Sequence, residues 1–314
     1  MTHITFIHGI ANKPPADELH ERWRRALADA DGIDLGTHNI SSSFVYWADV
    51  MYASPSSDDS DHERVGDDIV DEPSDDDSSW HAEMPAENQD FITALAARLN
   101  YEAEAPDGDD AYVPPPSDES GFERIPLPWA IKRRLMKALL RDVHHYLFNA
   151  QSTPRPGETY RVQDEIRRRF VETLAQDADA NGGNGPHIVV GHSMGTVIAY
   201  DCLKRVAACP AVDGFMTLGS PLGIDEIQDK LSPEWTRNDG FPSKVAGEWV
   251  NVADRLDPVC IDTRLANDYR RNGQSVVIDQ RQRNGGKWRH DLHKYMLQDE
   301  LREHMARLLG VIWP

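Results

Sequence analysis

A strand-like run, His187-Ile188-Val189-Val190, leads directly into Gly191-His192-Ser193-Met194-Gly195, and a helix-forming stretch over 196–203 follows at once. Strand, tight turn and helix in that order constrain the fold more than any other feature of the chain. A G-x-S-x-G at such a junction sets a serine on a strained turn, its hydroxyl clear of the sheet. A Cβ at either glycine would collide with the neighbouring strand or helix. The bare pattern also arises as a fortuitous turn, so the weight rests on the elements around it and on its partners further along.

Those elements alternate. Residues 4–7 read as a short apolar strand, and 17–30 as a helix with Leu19, Trp23, Ala26 and Leu27 on one side. A second strand is expected over 43–47, then further strands over 214–218, 249–253 and 275–279. Helices are expected over 158–178 and 292–309. Repeated strand–helix alternation argues an α/β fold, a mainly parallel sheet with helices on both faces. No G-x-G-x-x-G follows a strand, which removes a dinucleotide binder from consideration.

The net charge of −20 belongs to one segment. Between Ser54 and Ser120 stand 21 Asp and Glu against Arg64 and Arg98 only, a balance of −19. Runs such as Asp58-Asp59-Ser60-Asp61 and Pro114-Pro115-Pro116-Ser117 bury too little apolar surface to offset their ordering entropy. Residues 54–120 are therefore expected to form an acidic, partly mobile surface insertion with one helix near 88–100. Calcium binding would need a D-x-D-x-D-G spacing that the segment lacks. Residues 121–154 contain an amphipathic, basic helix over 128–150, with Lys132, Arg133, Arg134, Lys137 and Arg141 off its apolar side. A packed helix with a solvated face is the simpler reading, and a cap or lid the alternative. The core is left to residues 1–53 and 155–314.

A serine hydroxyl needs a base, and the base an acid to hold its tautomer. Downstream of Ser193, a buried strand runs into Asp254-Arg255-Leu256-Asp257-Pro258-Val259, placing two carboxylates at the strand-end edge where open α/β sheets bind ligands. Asp257, in the loop past the strand, is the first choice, and Asp254 the second. His290 and His293 lie just before the final helix; His293, adjoining it, is preferred over His290. As metal ligands the two histidines lack a third partner, and no metal site is expected. An oxyanion would need backbone donors. Met194 N–H, after the serine, is one; the loop Phe6-Ile7-His8-Gly9-Ile10 supplies the other, at Ile10 or alternatively Gly9.

With these residues assembled, the chain resembles the α/β-hydrolase superfamily, and in particular its lipase- and esterase-like serine hydrolases. The resemblance rests on Phe6-Ile7-His8-Gly9, Tyr46-Trp47-Ala48-Asp49, Gly191-His192-Ser193-Met194-Gly195, Leu218-Gly219-Ser220-Pro221-Leu222, Asp257-Pro258-Val259 and His293. It implies an α/β-hydrolase fold, here without the usual first two strands, and a Ser193–His293–Asp257 triad working through an acyl-enzyme. It implies no cofactor. Ser220 is expected to be structural.

A carboxylic ester, small or lipid-like, is then the expected substrate; a thioesterase or amidase would use the same parts. A non-catalytic binding protein on the same scaffold is the alternative from another class. No nucleic-acid or protein partner is indicated, and contact with a membrane surface rests only on the basic helix. The first residues show no basic start or long apolar run, and no window approaches the ~20 apolar residues of a membrane span. Cys202, Cys209 and Cys260 give no disulfide framework and read as reduced core thiols, so a cytoplasmic location is expected.

Overall fold

The apolar runs become strands because each can be covered on both sides. In the computed structural model, residues 1–56, 84–99, 129–181, 185–231, 239–285 and 288–313 are described. Six strands form one parallel sheet: β1 (His3–Ile7), β2 (Ser41–Val45), β5 (His187–His192), β6 (Val212–Leu218), β7 (Val245–Asp254) and β8 (Ile278–Gln282). Their order is β2-β1-β5-β6-β7-β8. A separate antiparallel hairpin joins β3 (Gln151–Arg155) and β4 (Glu158–Arg161). The helices are α1 (Ala16–Ala28), α2 (Ala86–Arg98), α3 (Trp129–Leu147), α4 (Val162–Asn181), α5 (Met194–Arg205), α6 (Asp225–Leu231), α7 (Leu292–Met296) and α8 (Asp299–Leu309).

Strand alternation divides the core into two layers. On one face Ile4, Phe6, Ile188, Val190, Met216, Leu218, Val250 and Val252 pack with α1, α7 and α8. On the other, Ile7, Val189, Phe215 and Trp249 pack with α2 to α6. α1 buries Leu19, Trp23, Ala26 and Leu27, the stripe its sequence presents. Cys202, Cys209 and Cys260 are buried free thiols; burial pushes Cys209 up to about 12. No helix among the described residues is long and apolar enough to cross a membrane.

The order of strands positions the site. The chain leaves β1 for β2 on one side and continues through β5 to β8 on the other, so the direction of winding reverses between β1 and β5. Such a switch point opens a crevice at the strand C-termini. Register places Ile7 of β1 beside Gly191 of β5, and His192 beside Leu218 of β6. The loop after β1 and the turn after β5 are thereby neighbours.

Several boundaries differ from the sequence expectation. Residues 158–161 form a strand, not a helix start: Pro156-Gly157 turns the chain, with Gly157 at φ +84°, and α4 begins only at Val162. β2 begins two residues earlier and β8 three residues later than expected. The closing helix is two helices, broken where Gln298 is extended at φ −84°, ψ 136°.

Within the acidic segment, α2 buries Phe91, Ile92 and Leu95, and ion pairs of 3.0 Å, Arg98–Asp225 and Glu87–Lys230, tie it to α6. Residues 57–83 and 100–128 lie outside the described residues, and the expected mobility of the insertion falls on them. α3 buries Leu139, Leu140, Val143 and Tyr146, and the Tyr146 hydroxyl donates to Asp201 on α5 at 2.6 Å.

Candidate active site

β5 ends at His192 and α5 starts at Met194, leaving Ser193 alone between them at φ 53°, ψ −128°. That backbone is costly for any residue with a Cβ and persists only where its surroundings hold it. Here Ser193 N–H donates to Leu218 O at 2.9 Å, while Ser193 O accepts from Thr196 N–H at 3.0 Å and the Thr196 hydroxyl at 2.6 Å. A Cβ on Gly195 would stand 2.5 Å from the carbonyl oxygens of Ile7 and His8, so the helix could not approach β1 with any other residue there. Ser220, as expected, is structural: its hydroxyl meets Thr196 Oγ1 at 2.7 Å and accepts from Leu222 N–H at 3.1 Å. Ser193 Oγ itself is buried and has no hydrogen-bond partner. Met194 N–H, at the first helical position, has no intrahelical acceptor.

Asp257 lies past the end of β7, and its two oxygens stand 2.9 and 2.8 Å from Nδ1 of His290. A carboxylate only accepts, so Nδ1 carries the proton, and the tautomer this fixes presents Nε2 as the acceptor. Asp257 also accepts from Val259 N–H at 2.8 Å and from the Tyr295 hydroxyl at 2.7 Å. Burial alone would raise its pKa. The attraction of the His290 ring in its protonated form, with the bonds from His290, Val259 and Tyr295, outweighs that and holds the carboxyl below its ordinary value. The imidazole lies against Gly219, whose φ of +57° keeps the chain tight beneath it; a Cβ there would meet Asp257 and His290 at 3.1 Å. His192 completes the setting: its Nε2–H donates to His290 O at 3.0 Å, and the two rings are 4.7 Å apart. His290 Nε2 is buried and, like Ser193 Oγ, without a partner.

The preference for His293 is corrected here. Asp291 is the N-cap of α7, accepting His293 N–H at 2.8 Å, so His293 is already inside the helix. Its ring turns outward to Asp29 at the end of α1, Nε2 to Oδ2 2.9 Å. His290, one residue before the cap, is still in the loop and free to turn inward. Between the carboxylates, Asp257 is the one that meets an imidazole. Asp254 accepts from Leu256 N–H at 2.8 Å, Asn284 N–H at 2.7 Å and Arg289 at 3.0 Å. Asn284 in turn donates to Arg289 O at 2.6 Å, so Asp254 braces the segment that ends in His290.

The loop after β1 is held from two sides. His8 stacks on Trp47 at 4.7 Å, donates from Nδ1 to Gly9 O at 2.8 Å and accepts Trp47 N–H on Nε2 at 3.0 Å. Burial first, then the charge of Lys13, lowers the His8 pKa well below the ordinary value, as a ring that must both donate and accept requires. Beyond Ile10, Ala11 takes φ +70° and its N–H donates to buried Asp142 of α3 at 2.7 Å. Gly9 abuts the serine: a Cβ on it would lie 3.3 Å from Ser193 Oγ. The structure thus brings Ser193, Gly9, Asp257 and His290 to one edge and leaves His293 outside. Tyr295 and Asp142 escape the sequence reading because their roles depend on contacts between distant segments, and a lone Tyr or Asp carries no spacing signal.

A parallel sheet with a strained serine turn at its switch point, and a His–Asp pair on the segments that follow β7 and β8, defines a hydrolase scaffold. The family model described as "Alpha/beta hydrolase family" matches residues 120–313, and the chain belongs to that family. A comparison with curated proteins found no match. The matched region stops short of β1 and β2, which are joined to it by the in-register pairing of β1 with β5.

Proposed function

We propose that the protein is a serine hydrolase that cleaves a carboxylic ester with Ser193 as nucleophile, His290 as general base and Asp257 as the group that orients and stabilises the imidazolium. The observation that carries this reading is the pair of buried, unpartnered atoms, Ser193 Oγ and His290 Nε2, on loops fixed at one sheet edge, while Nδ1 is already bound by Asp257. Buried polar atoms are nearly always satisfied by the protein, and exceptions of opposite chemistry at one place are a site left for a reactant. Catalytic bonds often tighten only when substrate arrives.

His290 Nε2 takes the hydroxyl proton as Ser193 Oγ attacks the ester carbonyl. The carbonyl oxygen, now negative, is received by the N–H groups of Ile10 and Met194. Collapse expels the alcohol, which takes the proton back from His290, and leaves the acyl group on Ser193. Water, deprotonated by the same nitrogen, then releases the acid. Thioesters and amides fit the same machinery.

Hydrolysis of a series of p-nitrophenyl esters of increasing chain length tests the reading. The expected result is turnover of at least part of the series, abolished in Ser193→Ala. Turnover of none of them, or turnover by Ser193→Ala within tenfold of wild type, would contradict it. Binding of an ester without turnover would favour the non-catalytic scaffold instead.

A further inference from the structure

The opposite end of the sheet is polar where buried parallel strands are usually apolar. Parallel strands covered on both faces are normally apolar throughout. At the start of β1, β2 and β5 they are not. His3 pairs in register with Ser41 and with His187, and Thr5 with Ser43. Side chains two apart share a face, so His3, Thr5 and Ile7 point the same way, toward the layer that includes α4. Two adjacent strands, β1 and β5, therefore set two histidines side by side, and α4 brings Asp177 down onto them. His3 and His187 are buried, and their rings meet edge-on with centroids 5.0 Å apart.

We propose that His3, His187 and Asp177 form a binding site for one divalent transition-metal ion of the zinc type. Each residue directs one ligand atom to a common point, all within 4.8 Å of one another. His3 Nε2 and Asp177 Oδ2 are 3.0 Å apart. Donors 2.0–2.2 Å from a tetrahedral zinc ion stand roughly 3.3 Å from each other, so shifts of well under an ångström from the His3–Asp177 pair would suit it. Thr5 Oγ1, 2.7 Å from His187 Nε2 and 3.0 Å from Asp177 Oδ2, marks where a fourth ligand, this hydroxyl or a water, completes the shell.

The outer contacts fit as well. Ser41 Oγ lies 2.8 Å from His3 Nδ1, so the ring is oriented by its other nitrogen with Nε2 turned inward, the arrangement that metal-bound histidines need. Ser43 Oγ holds Asp177 Oδ2 at 2.6 Å. Two imidazoles and a carboxylate select zinc, cobalt or nickel over calcium or magnesium, which favour all-oxygen shells. On binding, each neutral imidazole keeps its one proton on Nδ1, that of His3 facing Ser41 Oγ, and offers the Nε2 lone pair to the ion; no other bond in the chain is made or broken. The site ties β1, β5 and α4 together about 20 Å from Ser193, the length of β5 at ~3.3 Å per residue. Its role is thus structural and independent of the serine chemistry.

The test uses untagged, chelator-washed full-length protein and cobalt(II) or zinc(II) as the probe. Cobalt titration should give one equivalent per chain with the intense visible bands of a tetrahedral complex, and zinc should displace it. Asp177→Asn and His187→Gln should each lose more than tenfold in affinity, and Ser41→Ala about tenfold, since removal of an outer partner commonly costs 10–100-fold. Absence of a one-to-one complex, or variants that bind like wild type, would overturn the proposal and point to surface histidines. X-ray absorption of the zinc complex of the wild type covers the case in which the variants fail to fold. Two imidazole ligands are expected, and none or one would overturn the site.

Discussion

The two ends of the sheet are built from the same residue types and differ in what is left over. At the N-terminal end, His3, Thr5, Ser41, Ser43, Asp177 and His187 satisfy one another in a closed net. At the C-terminal end, Asp257 is saturated by His290, Tyr295 and Val259, yet Ser193 Oγ and His290 Nε2 have no partner. An unpaired buried polar atom costs about 1–3 kcal/mol, so Ser193 Oγ and His290 Nε2, like His192 Nδ1 near the serine, stand ready for a bond that something else supplies. The difference separates the end that braces the sheet from the end that meets a reactant. Histidines alone would not make that distinction, because both ends have them.

The contrast can be broken most severely at Ser193. Ser193→Ala should lower kcat by ~10⁴ or more with little change in thermal midpoint, because the hydroxyl makes no bond in the folded protein. Asp257→Asn should lower kcat on the order of 10³–10⁴, since the amide can hold the wrong tautomer of His290. Asp254→Asn should act differently. It weakens a buried ion pair to Arg289, for which losses of about 3–5 kcal/mol of stability are typical, and reduces kcat only on the order of 10–100-fold by loosening the segment that positions His290. At the opposite edge, His187→Gln should leave kcat within about threefold; a loss as large as that of Asp257→Asn would erase the distinction between the two ends.

The smallest effect concerns pH. Burial lowers the pKa of His8 and His192 well below the ordinary value, with the charges of Lys13 and His290 next in importance respectively. Their unfolded forms take up protons near pH 6.5 while the folded ones do not, so folding stability should fall as pH drops below about 6.5. Asp257 is shifted down, so its contribution is present above about pH 4 and is lost only in stronger acid. Urea midpoints at pH 7.5 and 5.5 check this: the lower pH should give the lower midpoint, and His8→Gln should reduce the difference.

Much of this was legible in the sequence because it is local. The turn around Ser193 announces itself by two glycines at fixed spacing between a strand and a helix, and α1 by four apolar residues on one side. Asp257 could be placed by its position past an apolar strand. His290 could not be separated from His293 that way, because the decision lies in the N-cap made by Asp291, whose one carboxylate fixes where the loop ends and the helix begins. The hairpin before α4 was missed because its strands, Gln151–Arg155 and Glu158–Arg161, are polar and half exposed; only Pro156-Gly157 signals the turn. The net around His3 had no sequence signal at all, since its members are brought together by strand register across more than 180 positions.

The central claim, that the unpartnered pair Ser193 and His290 is the working site, is tested most directly by fluorophosphonate labelling read by intact mass and peptide mapping. Wild type and His293→Ala should each take one label on Ser193 at similar rates, and His290→Ala should be slowed by at least 10²-fold, as expected when a general base is lost. Labelling that survives in His290→Ala but fails in His293→Ala, or a wild-type protein that takes no label at Ser193, would contradict the account.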